Sequence, residues 1–286
     1  MNTSRRKFFK QSGTVLASAG LVSQLPLSLL YGSADPGLSF GFQVWTIRKK
    51  LVSDFSGTLK EMKDMGYSEV EMCSPLGYAM AGFSTLKDMT GSEMKQLFTD
   101  NGLVCSSCHF TMGELRTSLE NRIEWAADLG MKQMILSTFW LPKDASVDDY
   151  RKVAQELNLM AEKTRAAGMQ MGFHNHHMEF ETIGEELIYD ALLEEFDPDL
   201  VKMQFQVAVV DIGYQAADYF RAHPGRYISA HLADYSTEKE AQVPVGQGIV
   251  NWPDFFEAAK VGGVKNFYVE MDPAFFKPSA EYLKRT

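Results

Sequence analysis

Short apolar, β-prone runs alternate with amphipathic segments along most of the chain. The runs are "LSFGFQVW" (38–45), "SEVEMC" (68–73), "GLVCSSCHF" (102–110), "KQMILSTF" (132–139), "MQMGFHNH" (169–176), "VKMQFQVAV" (201–209), "YISAHLAD" (227–234) and "NFYVEMD" (266–272). The segments between them carry helical spacing. In "FSGTLKEMKDMG" Leu59, Met62 and Met65 recur on one face and Gly66 stops the helix. "YRKVAQELNLMAEKTRAAG" also ends at a glycine, Gly168, while "NWPDFFEAAKVGG" offers Asn251 as N-cap and Pro253 in the first turn. Eight strands alternating with helices predict a parallel sheet, and a closed (β/α)8 TIM barrel uses eight strands without leaving an open edge. An open doubly wound sheet is the alternative, but it would want a glycine-rich phosphate turn after the first strand. "FQVWTIRKKL" has no such turn.

The first 34 residues do not share this pattern. "SRRKFFK" places Arg5 and Arg6 before two phenylalanines, and an uncharged stretch follows that exits through Gly32, Ser33 and Ala34. A basic head, an apolar middle and small residues at the exit predict a cleavable Tat export signal over 1–34, and hence a periplasmic barrel over 35–286. Gly, Ser, Gln and Pro interrupt the apolar middle, so it makes a poor permanent membrane span, and no later run is long enough for one. Removing the leader takes away Arg5, Arg6, Lys7 and Lys10, which moves the formal charge from −9 to about −13. Such an acidic chain repels phosphate backbones, which argues against nucleic acid and favours neutral sugars over sugar phosphates. Three cysteines, Cys73, Cys105 and Cys108, are not a disulfide framework for a chain of this size.

In a barrel the chemistry sits at the carboxyl ends of the strands. Five of the six histidines, His109, His174, His176, His177 and His231, fall at or just past such an end. His177 and His223 are read as surface or supporting positions. Glu71 ends the second strand, Gln206 lies in the sixth, Asp234 closes the seventh, and Glu270 and Asp272 end the eighth. Residues two apart on a strand share a face, so Glu270 pairs with Asp272 and His174 with His176. Glu179 either joins this group or caps the next segment. So many imidazoles and carboxylates would be costly to bury for packing alone, and a ring of His, Glu and Asp suits a divalent metal or acid/base chemistry.

The run "VCSSCHF" also matches C-x-x-C-H, the spacing of covalently attached haem. As a strand, however, it puts Cys105 and Cys108 on opposite faces, and haem attachment to an unfolded chain conflicts with export of a folded one. The cysteines are read instead as buried small hydrophobes, with His109 as the chemical residue.

With these segments in order, the chain resembles the xylose-isomerase-like TIM-barrel superfamily, often labelled sugar phosphate isomerase/epimerase. "GFQVWTIR", "LKEMKDMGYSEVEM", "MKQLFTDNGLVCSSCHF", "GFHNHHMEF", "ISAHLADY", "VPVGQGIVNWPDFF" and "FYVEMD" carry the resemblance from the first strand to the last. It implies one divalent ion, Mn²⁺, Co²⁺ or Mg²⁺, held by Glu, Asp, His and Glu from strands five to eight. That ion stabilises the enediolate formed when a carboxylate removes the proton beside a sugar carbonyl. Carried over by position, His231 and Glu270 keep their places, while His174 stands for Glu and Gln206 for Asp. The implied metal set is therefore His174, Gln206, His231 and Glu270, poorer in charge, so metal affinity should fall and the ion is either a softer one such as Co²⁺ or Zn²⁺ or absent. Glu270, His109 and His176 are the expected catalytic residues, with His174 an alternative acid, and Glu71, Asp234 and Asp272 are the expected substrate contacts. The partner is a sugar or ketosugar, and a homo-oligomer is compatible with the sequence. Isomerisation or epimerisation and 3-keto-glycoside elimination or hydration both fit, and a carbohydrate-binding barrel without catalysis is a third reading.

Overall fold

Eight parallel strands close on themselves in chain order in the computed structural model, which describes residues 39–286. The strands are β1 (Phe40–Gln43), β2 (Glu69–Cys73), β3 (Val104–Phe110), β4 (Gln133–Leu136), β5 (Gln170–His174), β6 (Val201–Gln206), β7 (Tyr227–Leu232) and β8 (Asn266–Val269). β1 closes the ring against β8, pairing Phe40 with Phe267 and Phe42 with Val269. This is the (β/α)8 barrel expected from the alternation. The expected export leader lies outside the described residues. Among those residues no helix is long and apolar enough to cross a membrane.

The helices follow from the signals read in the sequence. The helix over Phe55–Met65 is capped by Asp54, whose side chain accepts from the Gly57 amide at 2.9 Å. It buries Leu59 and Met62 and ends at Gly66 with φ 109°. The helix over Val147–Ala166 starts in a capping box of Ser146 and Asp149, and the chain then turns at Gly168 with φ 82°. The helix over Trp252–Gly262 has Asn251 as its cap, accepting from the Asp254 amide at 3.3 Å, with Pro253 in its first turn. The core lies between the outer face of the barrel and these helices, with Phe42, Val70, Leu136, Phe173, Phe205 and Val269 fully buried.

Inside the barrel the packing is polar in two tiers. The lower tier gathers Glu69, Ser106, Gln133, Asn266 and Tyr268, and Gly41 leaves the Tyr268 ring its space, since a Cβ there would sit 2.5 Å from it. The upper tier gathers Glu71, Ser107, Gln204 and Ser229.

Several strands stop short of their sequence-based limits. Residues 137–139, 175–176, 207–209, 233–234 and 270–272 are buried or half-buried in large part, yet they lie beyond the strands. The apolar signal persists because these segments pack over the barrel mouth, where burial continues outside the barrel's own pairing; Asp234 instead opens a small antiparallel pair, Asp234–Ser236 against Ala241–Val243. The shared face assumed for Glu270 and Asp272 fails for this reason. Asp272 is exposed and caps a short 3-10 turn (Pro273–Phe275), accepting from the Ala274 amide at 2.8 Å. A second difference is a bulge. The pairing shifts between Val70 and Glu71, so Cys105 faces Val70 while Ser107 faces Glu71. Ser106 and Ser107 then both turn inward, to Glu69 at 3.1 Å and to Glu71 at 2.6 Å. That extra residue cancels the alternation that would set Cys105 and Cys108 on opposite faces. Both thiols are free and buried, and burial pushes Cys105 up to about 12.

Candidate active site

The upper tier is built around His231, which ends β7 beside β6 and β8. It is fully buried, and both ring nitrogens meet carboxylates. Nε2 bonds Glu71, and Nδ1 lies 2.8 Å from Glu270 Oε2. Burial alone would discharge this imidazole, but Glu71 and then Glu270 outweigh it and lift its pKa to about 9. The same charge works in reverse. Burial opposes ionisation of Glu71, yet His109 and His231 hold it well below the ordinary carboxylate range; Glu270 is likewise lowered, chiefly by His231. Glu71, His231 and Glu270 thus form a carboxylate–imidazolium–carboxylate row with one surplus negative charge.

Other side chains fix the row in place. Gln204 donates from Nε2 to Glu71 Oε1 at 2.7 Å and to Ser229 Oγ at 2.8 Å, and its Oε1 lies 2.7 Å from His109 Nε2. His109 Nε2 is also 3.1 Å from Glu71 Oε2. Gln206 donates to Glu270 Oε2 at 2.8 Å, while Asn175 Oδ1 accepts from the Gln206 amide at 3.0 Å. Period-two alternation in "QFQ" puts Gln204 and Gln206 on one face, which is the signal that could have found Gln204. Ser107 had no such signal, because only the bulge turns it inward.

Two further imidazoles pack against His231, His109 stacked on it and His174 tilted. His109 and His231 are nearly parallel with centroids 5.2 Å apart, and His174 lies 4.4 Å from His231 and 5.0 Å from His109. One nitrogen from each of the three falls within 4.8 Å of the others, a spacing at which they could hold a metal ion. His174 is held neutral by burial and then by the charge of His231, and its buried Nδ1 has no hydrogen-bond partner. His176 packs edge-on to His174 at 4.7 Å, and burial lowers it to about 4.

The structure therefore brings together His174, Gln206, His231 and Glu270, and adds His109, Glu71 and His176 around them. Asp234 is not part of this group. Its carboxylate accepts from the amides of Tyr235, Gly246, Gly248 and Val250 at 3.0–3.1 Å and from Trp252 Nε1 at 2.9 Å. With five donors it has no capacity left for a sugar, and it organises the loop through "VGQG". Asp272 is also remote from the group, as a turn cap. His177 is exposed and pairs with Asp211 at 2.8 Å. Glu179 accepts the His176 amide at 2.7 Å, so from the third position of the short turn His177–Phe180 it caps that turn and braces the His174–His176 segment.

An imidazole-rich donor set fits a divalent ion. The unpartnered Nδ1 of His174 and the surplus negative charge are both features that such an ion would satisfy.

The family model described as xylose isomerase-like TIM barrel matches residues 59–285. Among solved structures, a sugar phosphate isomerase/epimerase from Parabacteroides distasonis is 24% identical with a TM-score of 0.73, covering 89% of this chain and 98% of that one. A second from the same organism is 25% identical with a TM-score of 0.68, covering 86% and 97%. A xylose isomerase-like TIM barrel protein from Mycobacterium smegmatis, solved in complex with magnesium, is 16% identical with a TM-score of 0.61, covering 86% and 95%. No curated protein matches the chain.

Proposed function

The chain belongs to the xylose isomerase-like TIM barrel family, and on that premise we propose that it is an enzyme doing enolate chemistry on a carbohydrate. The observation that carries this reading is the Glu71–His231–Glu270 row at the carboxyl ends of the strands. Glu71 is sealed from solvent, whereas the Glu270 side chain retains 15% exposure and so can reach a substrate. Its lowered pKa keeps it ionised at neutral pH, ready to take the proton beside a sugar carbonyl. Neutral His174, with Nδ1 unpartnered, is placed to hydrogen-bond the carbonyl oxygen, and neutral imidazoles suit that electrophilic role. Glu270, once protonated, can hand the proton back to the neighbouring carbon, and His109 and His176 border the same space as hydrogen-bonding partners for the substrate's oxygens. Alternatively, a divalent ion would be held by His174, His231 and Glu270 with Gln206 or His109 beside them, once His231 gives up its proton and one carboxylate bond; it would then take over from His174 the stabilisation of developing oxygen charge as a Lewis acid.

Isomerisation or epimerisation is the first reading. Elimination or hydration of a 3-keto-glycoside is favoured by one observation: of the two carboxylates in the row, Glu270 alone reaches solvent, and that reaction needs a single base. The acidic chain favours a neutral sugar, and the "SRRKFFK" leader favours a periplasmic setting.

The test is mass spectrometry of sugars and ketosugars incubated with the protein in deuterated water. Deuterium should enter beside the carbonyl, and loss of the C1 substituent would mark elimination. Glu270→Gln should slow exchange by about 100-fold or more while sugar affinity persists. Wild-type protein that binds sugars but exchanges none, with any added metal, would leave a binding barrel as the reading.

A further inference from the structure

The opposite end of the barrel holds a cavity of about 550 Å³, lined by residues at the amino ends of β3, β4, β5, β7 and β8. Its rim carries Lys132, Arg165 and Lys265, three cations against one carboxylate, Glu69, which lies behind the lining and is hydrogen-bonded to Asn266 and Ser106. Among the described residues, no salt bridge uses any of the three cations. A chain of net charge −9 thus presents a locally positive cup.

The floor is equally specific. Glu69 Oε2 accepts from Asn266 Nδ2 at 2.7 Å and from Ser106 Oγ at 3.1 Å. Because a carboxylate only accepts, it fixes the Asn266 amide with Oδ1 turned towards Gln133. Gln133 Nε2 donates to that oxygen at 2.6 Å, so Gln133 Oε1 is left as an acceptor. That oxygen is buried, has no partner, and belongs to a residue of the cavity lining that is 2% exposed. An orphaned buried acceptor is costly, and a hydroxyl donated by a ligand would satisfy it.

We propose that this cavity is a second ligand site, for a small polyhydroxylated anion, at the end of the barrel opposite the candidate active site. The three cations take the anionic group and Gln133 takes a hydroxyl. The volume suits a single small molecule. The proposal is independent of the chemistry at the mouth.

Calorimetric titration of the whole protein at low ionic strength tests it, with D-gluconate and glucose 6-phosphate as separate probes for carboxylate and phosphate. At least one should bind with one site per chain, and the preferred probe identifies the anionic group. Replacing two of the three exposed cations, Arg165→Glu with Lys265→Glu, should weaken that binding at least tenfold and leave the unliganded melting temperature in place. Absence of binding by both probes, or binding insensitive to the double substitution, would overturn the proposal.

Discussion

Glu179 shows how one buried atom sets a measurable property. Its Oε2 accepts the His176 amide, but its Oε1 is buried without a partner, and burial raises its pKa from 4.5 to about 7. The folded state therefore holds a proton that the unfolded chain releases at lower pH. Stability from this group is complete below about pH 4.5, is lost as pH rises through about 7, and is level beyond. Glu179→Gln keeps an acceptor for the amide and cannot ionise. Urea unfolding should show the difference between wild type and variant changing by a few kcal/mol across that window. Identical pH profiles would show that folding leaves the Glu179 pKa where it is in the unfolded chain. At the same scale, His174 and His231 are alike in sequence but one is neutral and the other charged, because burial and then the charge of His231 discharge His174, whereas His231 lies between two carboxylates.

Among the elements, the loop after β7 depends on a single side chain. Asp234 collects four backbone amides and an indole, and Gly248 must lack a Cβ, which would sit 2.2 Å from Asp234 Oδ1. Asp234→Ala leaves these donors unpaired and should cost on the order of 3 kcal/mol, read from urea midpoints. Loss of sugar binding at unchanged stability would return Asp234 to the role of substrate contact. The bulge in β3 is a comparable device, because one inserted residue turns Ser106 to the lower tier and Ser107 to the upper.

For the molecule as a whole, the three clustered imidazoles come from β3, β5 and β7, strands far apart in the chain. An ion bound between them would join these strands only in the folded state. Zn²⁺ or Co²⁺ at 100 times its dissociation constant should therefore add about 2.7 kcal/mol to stability. A rise in melting temperature on adding either ion, removed by chelator and absent in His174→Ala, is the expected result. A rise that survives His174→Ala would put the ion elsewhere.

The alternation of strand and helix patterns determined the barrel, because each element announces its own period of burial and eight parallel strands have one closed solution. The sequence also placed His109, His174, Gln206, His231 and Glu270 at strand ends, since strand polarity follows chain direction. It did not decide which polar groups meet. Asp234 and Asp272 looked equivalent to Glu270 until the loops beyond β7 and β8 turned them to backbone donors, and Gln204 and Ser107 gained their roles from partners on other strands. Hydrogen bonds and charge balance are pairwise properties of groups distant in the chain, so only barrel closure and the βα loops settle them.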